Sequence, residues 1–204
     1  ESARTARCLS NLKQLGAAAH LYADDNQGKT PQCAWGDLGL GTVPGYNASL
    51  WMDQLYPYLG RNIEVLECPS MRVTRHPAYQ MSPPRKYWPG YQINRQCRRG
   101  SLVNYTGLSI REVQNVATVV WFADSSWYPT GVESWAPISC LVELNASGGT
   151  EPISKRHRGG SNLVFFDGHA MWMRYADVMP YNSGADFRYK TYWDPDHDGN
   201  FDTP

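Results

Sequence analysis

The sequence predicts an α+β domain: a long N-terminal α-helix packed on a small antiparallel β-sheet, with long loops between the strands. Three observations predict it. An apolar stripe at helical spacing runs through the first 25 residues. Short β-branched or aromatic runs, separated by Gly, Pro and Asx breakers, recur further on. Asp167-Gly168 stands between two such runs, the strongest short-range signal for a hairpin, and one that predicts a two-residue turn. With 204 residues the chain can bury one good core. No repeat or composition break divides it, so 1–204 reads as a single domain: a helical spine over 1–27, a loop-rich body over 28–180 and a tail over 181–204.

The helix is expected over 2–25. Cys8, Leu9, Leu12, Leu15, Gly16, Ala19, Tyr22 and Ala23 follow i, i+3, i+4, i+7 spacing, while Arg4, Arg7, Lys13 and Gln14 lie off the stripe. Asp24-Asp25-Asn26-Gln27-Gly28 ends it, with Gly28 as a left-handed cap and Pro31 beyond. Nothing before Arg4 offers a cap, so the helix is expected to continue upstream of residue 1. At ~1.5 Å per residue the rod is about 36 Å long.

The glycine-rich stretch 32–48 lacks the Lys-Ser/Thr of a phosphate loop and reads as an irregular connection. Ser49 caps a short amphipathic helix that Pro57 ends or kinks. Glu64–Cys68 is expected to be a short strand, and the proline-rich 72–90 a long surface loop. Tyr91–Asn94, Leu102–Thr106 and Ile138–Leu144 are further strand candidates, with a helical turn at Ile110–Val113. Ala117–Ala123 (ATVVWFA) is the strongest buried strand. The hairpin follows, its first strand starting near Ser161 after Gly159-Gly160.

Composition excludes several function classes. Nineteen basic and nineteen acidic residues cancel, leaving no basic field for nucleic acid. No run of about 18 apolar residues is present, so the chain as given spans no membrane. High Tyr, Trp, Gly and Pro suit a loop-rich extracytoplasmic protein. None of Cys8, Cys33, Cys68, Cys97 and Cys140 is paired at metal-ligand spacing, so a zinc site is not expected. Disulfides are an alternative in an oxidising compartment; Cys97–Cys140 and Cys33–Cys68 are weak preferences.

Three constellations carry possible chemistry. In the tail, Asp194, Asp196, Asp198, Gly199 and Asp202 fall at positions 1, 3, 5, 6 and 9 of an EF-hand-like loop, with the Asn200 carbonyl at position 7. Alternate carboxylates on a tight turn bring hard oxygens to one point, so the segment is read as a Ca2+ loop rather than a merely solvated acidic tail. The glutamate of position 12 and the flanking helices of an EF-hand are missing. His157, Asp167 and His169 allow a metal-dependent hydrolase, but the preferred reading is structural: Asp167 and Gly168 close the turn and His157 hydrogen-bonds loop backbone. Of the eight tryptophans, Trp35, Trp88, Trp127 and Trp135 allow a carbohydrate-stacking surface, whereas Trp121 and Trp172 are assigned to the core. No nucleophile-elbow motif supports a Ser/His/Asp hydrolase.

Several of these segments match a family. CLSNLKQLGAAAHLYADDNQGKTP, with Asn11–Gln14 and Tyr22–Asp25 at its core, is followed by LYPYL (55–59), LECPS (66–70), GYQIN (90–94), FADS (122–125) and RHRGGSNLVFFDGH (156–169). In that order they resemble the type IV pilin-like, or type II secretion pseudopilin-like, proteins with a C-terminal H-x9-DG motif, here His157, Asp167 and Gly168. The resemblance implies a non-enzymatic structural subunit of a pilus or secretion pseudopilus, in a bacterial cell envelope. It implies a precursor cut by a prepilin peptidase, an inner-membrane anchor formed by an apolar first half of the helix, and other pilin or pseudopilin subunits as partners. That first half is absent from the sequence given, which reads as a trimmed chain. Major pseudopilins are also similar in carrying a C-terminal Ca2+ loop.

Overall fold

The computed structural model describes residues 1–31, 51–70, 90–94, 98–99, 106–124, 140–141, 153–178 and 191–195. Helix α1 spans Ser2–Asp25, as the apolar stripe predicts. Its end is built by local sequence. The Asn26 side chain donates to the Tyr22 carbonyl at 2.7 Å, and Gly28, at φ +77°, donates its N–H to the Ala23 carbonyl at 2.8 Å. Two uncapped carbonyls of the last turn are thereby satisfied.

A short helix α2 (Trp51–Leu55) and a 3₁₀ turn at Pro57–Leu59 replace the single helix expected from Ser49, the break falling at Pro57. Ile63–Leu66 is a 3₁₀ turn rather than the start of the expected strand. The reason is Asn62, whose side chain accepts the Glu64 N–H and caps a turn.

Strands β1 (Tyr91–Asn94), β4 (Val120–Asp124), β5 (Cys140–Leu141), β6 (Gly160–Phe165) and β7 (Ala170–Arg174) form one sheet in the order β5-β1-β4-β6-β7. The β1-β4-β6-β7 block is antiparallel, and the two-residue β5 adds a parallel edge beside β1. Strands β2 (Arg98–Arg99) and β3 (Thr106–Gly107) pair separately, and α3 (Tyr175–Val178) follows β7.

Both faces of the central strands are covered. Val164 and Phe166 join Leu12, Leu15, Ala19, Trp121 and Phe122 in the cluster under α1. Leu163 and Phe165, of opposite parity on β6, join Val120, Ala123, Ile153, Val178 and Trp193 in a second cluster on the other face. A register shift between Val120 and Phe122 lets Trp121 and Phe122 both reach the helix side. Burying one leucine such as Leu12 or Leu15, each 0% exposed, contributes about 1.5–3 kcal/mol.

The hairpin is present but its turn differs from the expected one. The Phe165 N–H donates to the His169 carbonyl at 2.9 Å, and the Gly168 N–H donates to the Phe165 carbonyl at 2.9 Å. The loop is therefore the three residues 166–168, with Gly168 at φ +87° and Asp167 outside the left-handed region. The extra residue turns Phe166 inward, where it stacks on Trp121 at 4.4 Å between ring centroids. Trp172 is not core: it lies on edge strand β7 and is 39% exposed, whereas Trp121 is buried as expected.

Candidate metal centre

His157 is placed by a tight turn. His157-Arg158-Gly159-Gly160 closes with the Gly160 N–H donating to the His157 carbonyl at 3.1 Å, and Arg158 (φ +55°) and Gly159 (φ +79°) are both left-handed. That pair of angles is the type I′ turn, which explains the glycine after Arg158. The Trp172 ring packs closely against Gly160, where a Cβ would come within 2.4 Å of it, and its indole N–H donates to the His157 carbonyl at 2.7 Å. The RHRGG segment is thus pinned at both ends, and the imidazole points into the protein, fully buried.

Three other buried side chains meet it there. Cys8 comes from the first half of α1, Cys68 from the loop after the Ile63–Leu66 turn, and Asp124 from the end of β4. One ligand atom from each of Cys8, Cys68, Asp124 and His157 lies within 4.8 Å of all the others. His157 Nε2 is 3.4 Å from Cys68 Sγ and 3.5 Å from Asp124 Oδ2. The groups around them are directed. His157 Nδ1 faces Glu1 Oε1 at 3.1 Å and Thr5 Oγ1 at 3.2 Å, which leaves Nε2 for the cluster. Arg156 Nε donates to Cys68 Sγ at 3.2 Å, and its Nη2 reaches Asp124 Oδ1 at 3.3 Å and the Gly90 carbonyl. The Asn162 N–H donates to Asp124 Oδ2 at 2.6 Å.

The electrostatics follow from this packing. The contact with Cys8 does most to pull the Cys68 thiol down, to about 5, with His157 and Arg156 adding to it against the opposing effect of burial. Cys8 is pushed up by the same thiol contact and by burial. Burial works hardest against a charged His157, but Asp124 and Cys68 outweigh it and raise the imidazole to about 10. Two thiols, a carboxylate and an imidazole pointed at one spot, with their outer atoms already engaged, could hold a metal ion. All four are buried, and among the described residues they face no open surface.

The hydrolase reading fails on geometry. Asp167 Oδ1 accepts the His169 N–H at 3.0 Å and contacts His169 Nδ1 at 2.6 Å, so it serves the turn as expected. His157 lies at the far end of β6, roughly 20 Å away along six residues of strand. Its role also differs from the structural expectation: its ring, not only its backbone, is used. In the tail, Asp194 is buried beside Trp193, whose carbonyl accepts from Asn94 Nδ2 at 3.1 Å. Asp196, Asp198, Asn200 and Asp202 lie outside the described residues, as do Trp35, Trp88, Trp127 and Trp135. Cys33 and Cys97 lie outside them too, and the cysteine beside Cys68 is Cys8.

Local spacing misses Cys8, Cys68, Asp124 and Arg156 because each comes from a different segment. A signal was nevertheless present. CLSNLKQ, LECPS, FADS and RHRGG each contribute a member, and GYQIN supplies Gly90 and Tyr91 beside them, so the separate motif pieces converge on one point. Comparison with protein-family models, curated proteins and solved structures finds no significant match to this chain.

Proposed function

We propose that this chain is the globular part of a non-enzymatic filament subunit, of the type IV pilus or type II secretion pseudopilus kind. Helix α1 carries the reading. It runs 24 residues, about 36 Å, against described strands of at most six residues, about 20 Å. One stripe (Cys8, Leu12, Leu15, Ala19, Ala23) is buried against the sheet, while Leu21, 53% exposed, lies off it. A rod longer than the described strands it braces, with one face left uncovered by the described residues, suits a stem whose free face packs on neighbouring subunits. In that reading an apolar continuation upstream of Glu1 anchors the precursor in the inner membrane until a prepilin peptidase cuts its leader, and the body lies in the cell envelope outside that membrane. No described helix is itself long and apolar enough to cross a membrane.

The gene sequence upstream of Glu1 tests the class. A short basic leader, a glycine and then about 20 apolar residues are expected; a soluble domain preceding Glu1 would contradict the reading. In the full-length protein, Leu21→Glu is expected to abolish sedimentable filaments while leaving the melting temperature of the body unchanged. Filaments assembled normally by that variant would refute the role given to this face.

A further inference from the structure

We propose that Cys8, Cys68, Asp124 and His157 form a closed structural site for a divalent zinc-type cation, which ties α1 to the sheet. Two sulfurs, one imidazole nitrogen and one carboxylate oxygen are a donor set that suits zinc, and four protein ligands make a structural rather than a catalytic site. The spacing fits. Metal bonds of about 2.3 Å to sulfur and about 2.0–2.2 Å to nitrogen or oxygen, at tetrahedral angles, separate S from N by about 3.6 Å and N from O by about 3.4 Å. Cys68 Sγ and His157 Nε2 stand 3.4 Å apart, and His157 Nε2 and Asp124 Oδ2 stand 3.5 Å apart.

The surroundings are those a metal ligand needs. Glu1 and Thr5 hold His157 Nδ1, fixing the tautomer that offers Nε2. Arg156 donates to Cys68 Sγ, and the Asn162 N–H fixes the Asp124 oxygen that faces the imidazole. Charge closes as well. Two thiolates and a carboxylate exceed a divalent cation by one negative charge, and the Arg156 guanidinium supplies the missing positive one. On binding, Cys8 and Cys68 coordinate as thiolates and His157 as the neutral imidazole, and whatever protons these three groups carry leave to solvent. Across the β4–β6 ladder from this point, the Asn162 side chain is buried with both polar atoms unpartnered among the described residues, so the region is polar beyond what its own hydrogen bonds use.

The site joins four segments distant in sequence: the helix, the loop before β1, the end of β4 and the turn before β6. A cation there would hold the helix to the body at one point, whatever load the helix carries.

The test is metal analysis of the purified protein together with cobalt titration. The expected result is one equivalent of zinc per chain, and cobalt spectra with tetrahedral d–d bands and sulfur-to-cobalt charge transfer. Cys8→Ser and Cys68→Ser should each weaken the charge-transfer band and the double variant should abolish it, while Cys140→Ser, on the edge strand, should leave it unchanged. Asp124→His, which keeps four ligands, should still bind. Glu1→Gln should weaken zinc binding about 10–100-fold without removing a ligand. A folded wild-type chain that takes up neither metal would overturn the proposal. So would an intact mass, taken before any reductant, that shows Cys8 and Cys68 joined as a disulfide.

Discussion

Leu15→Ala, set beside Leu21→Ala, asks whether α1 docks on the sheet by the stated face. Leu15 is fully buried in the cluster with Trp121, Phe122 and Val164, and Leu21 on the same helix is 53% exposed. Removing three carbons from Leu15 loses about 2.4 kcal/mol of transfer free energy at ~0.8 kcal/mol per carbon, and the cavity raises the cost to about 3–5 kcal/mol. For a chain of this size each kcal/mol moves the melting temperature by about 2–4 °C, so Leu15→Ala should lower it by about 6–20 °C. Leu21→Ala should stay within about 0.5 kcal/mol of wild type, or about 2 °C. Thermal and urea unfolding of both variants provide the comparison. If Leu15→Ala does not fold, Leu15→Met keeps the volume and should cost less than about 1.5 kcal/mol. Equal shifts at the two positions, or the larger one at Leu21, would refute the docking geometry.

Further outcomes are expected. Asn11 is 6% exposed and donates to the Glu64 and Glu67 carbonyls and the Tyr91 hydroxyl; Asn11→Ala should cost about 1–3 kcal/mol, and Asn11→Asp more, since an acceptor would then face two carbonyl oxygens. Gly168→Ala puts a side chain at φ +87° and should cost about 1–3 kcal/mol in urea unfolding; no measurable loss would contradict the three-residue loop. If the tail takes Ca2+ at a hundredfold excess over its dissociation constant, chelation should remove about 2.7 kcal/mol. The loss should be restored by added Ca2+ and not by zinc; an unchanged melting temperature would dismiss the calcium reading.

Long-period and turn signals were legible in the sequence. The α1 stripe and the Asn26–Gly28 stop are local, and both end caps use residues within five positions of each other. The runs at 120–123 in β4 and 163–165 in β6 were legible because both faces are buried there, so those residues are all apolar or aromatic, whereas the polar ends of the two strands, Asp124 and Ser161-Asn162, gave no such signal. Trp172 was misjudged because alternation does not say which strand is an edge, and among the described residues β7 has a neighbour on one side alone. Glu64–Cys68 was misread because one side-chain hydrogen bond from Asn62 outweighed strand propensity. The cluster escaped because its members sit at 8, 68, 124 and 157, and only the fold makes them neighbours. What could be read was the set of short motifs holding them; what could not was their convergence.

Hydrogen exchange of the α1 amides tests most directly whether this helix is the rigid spine of the body. Amides from Leu12 to Ala19, under the sheet contact, should open only with global unfolding and share the protection of β4 and β6. Exchange there as fast as in an isolated helix, with the strands still protected, would contradict the account.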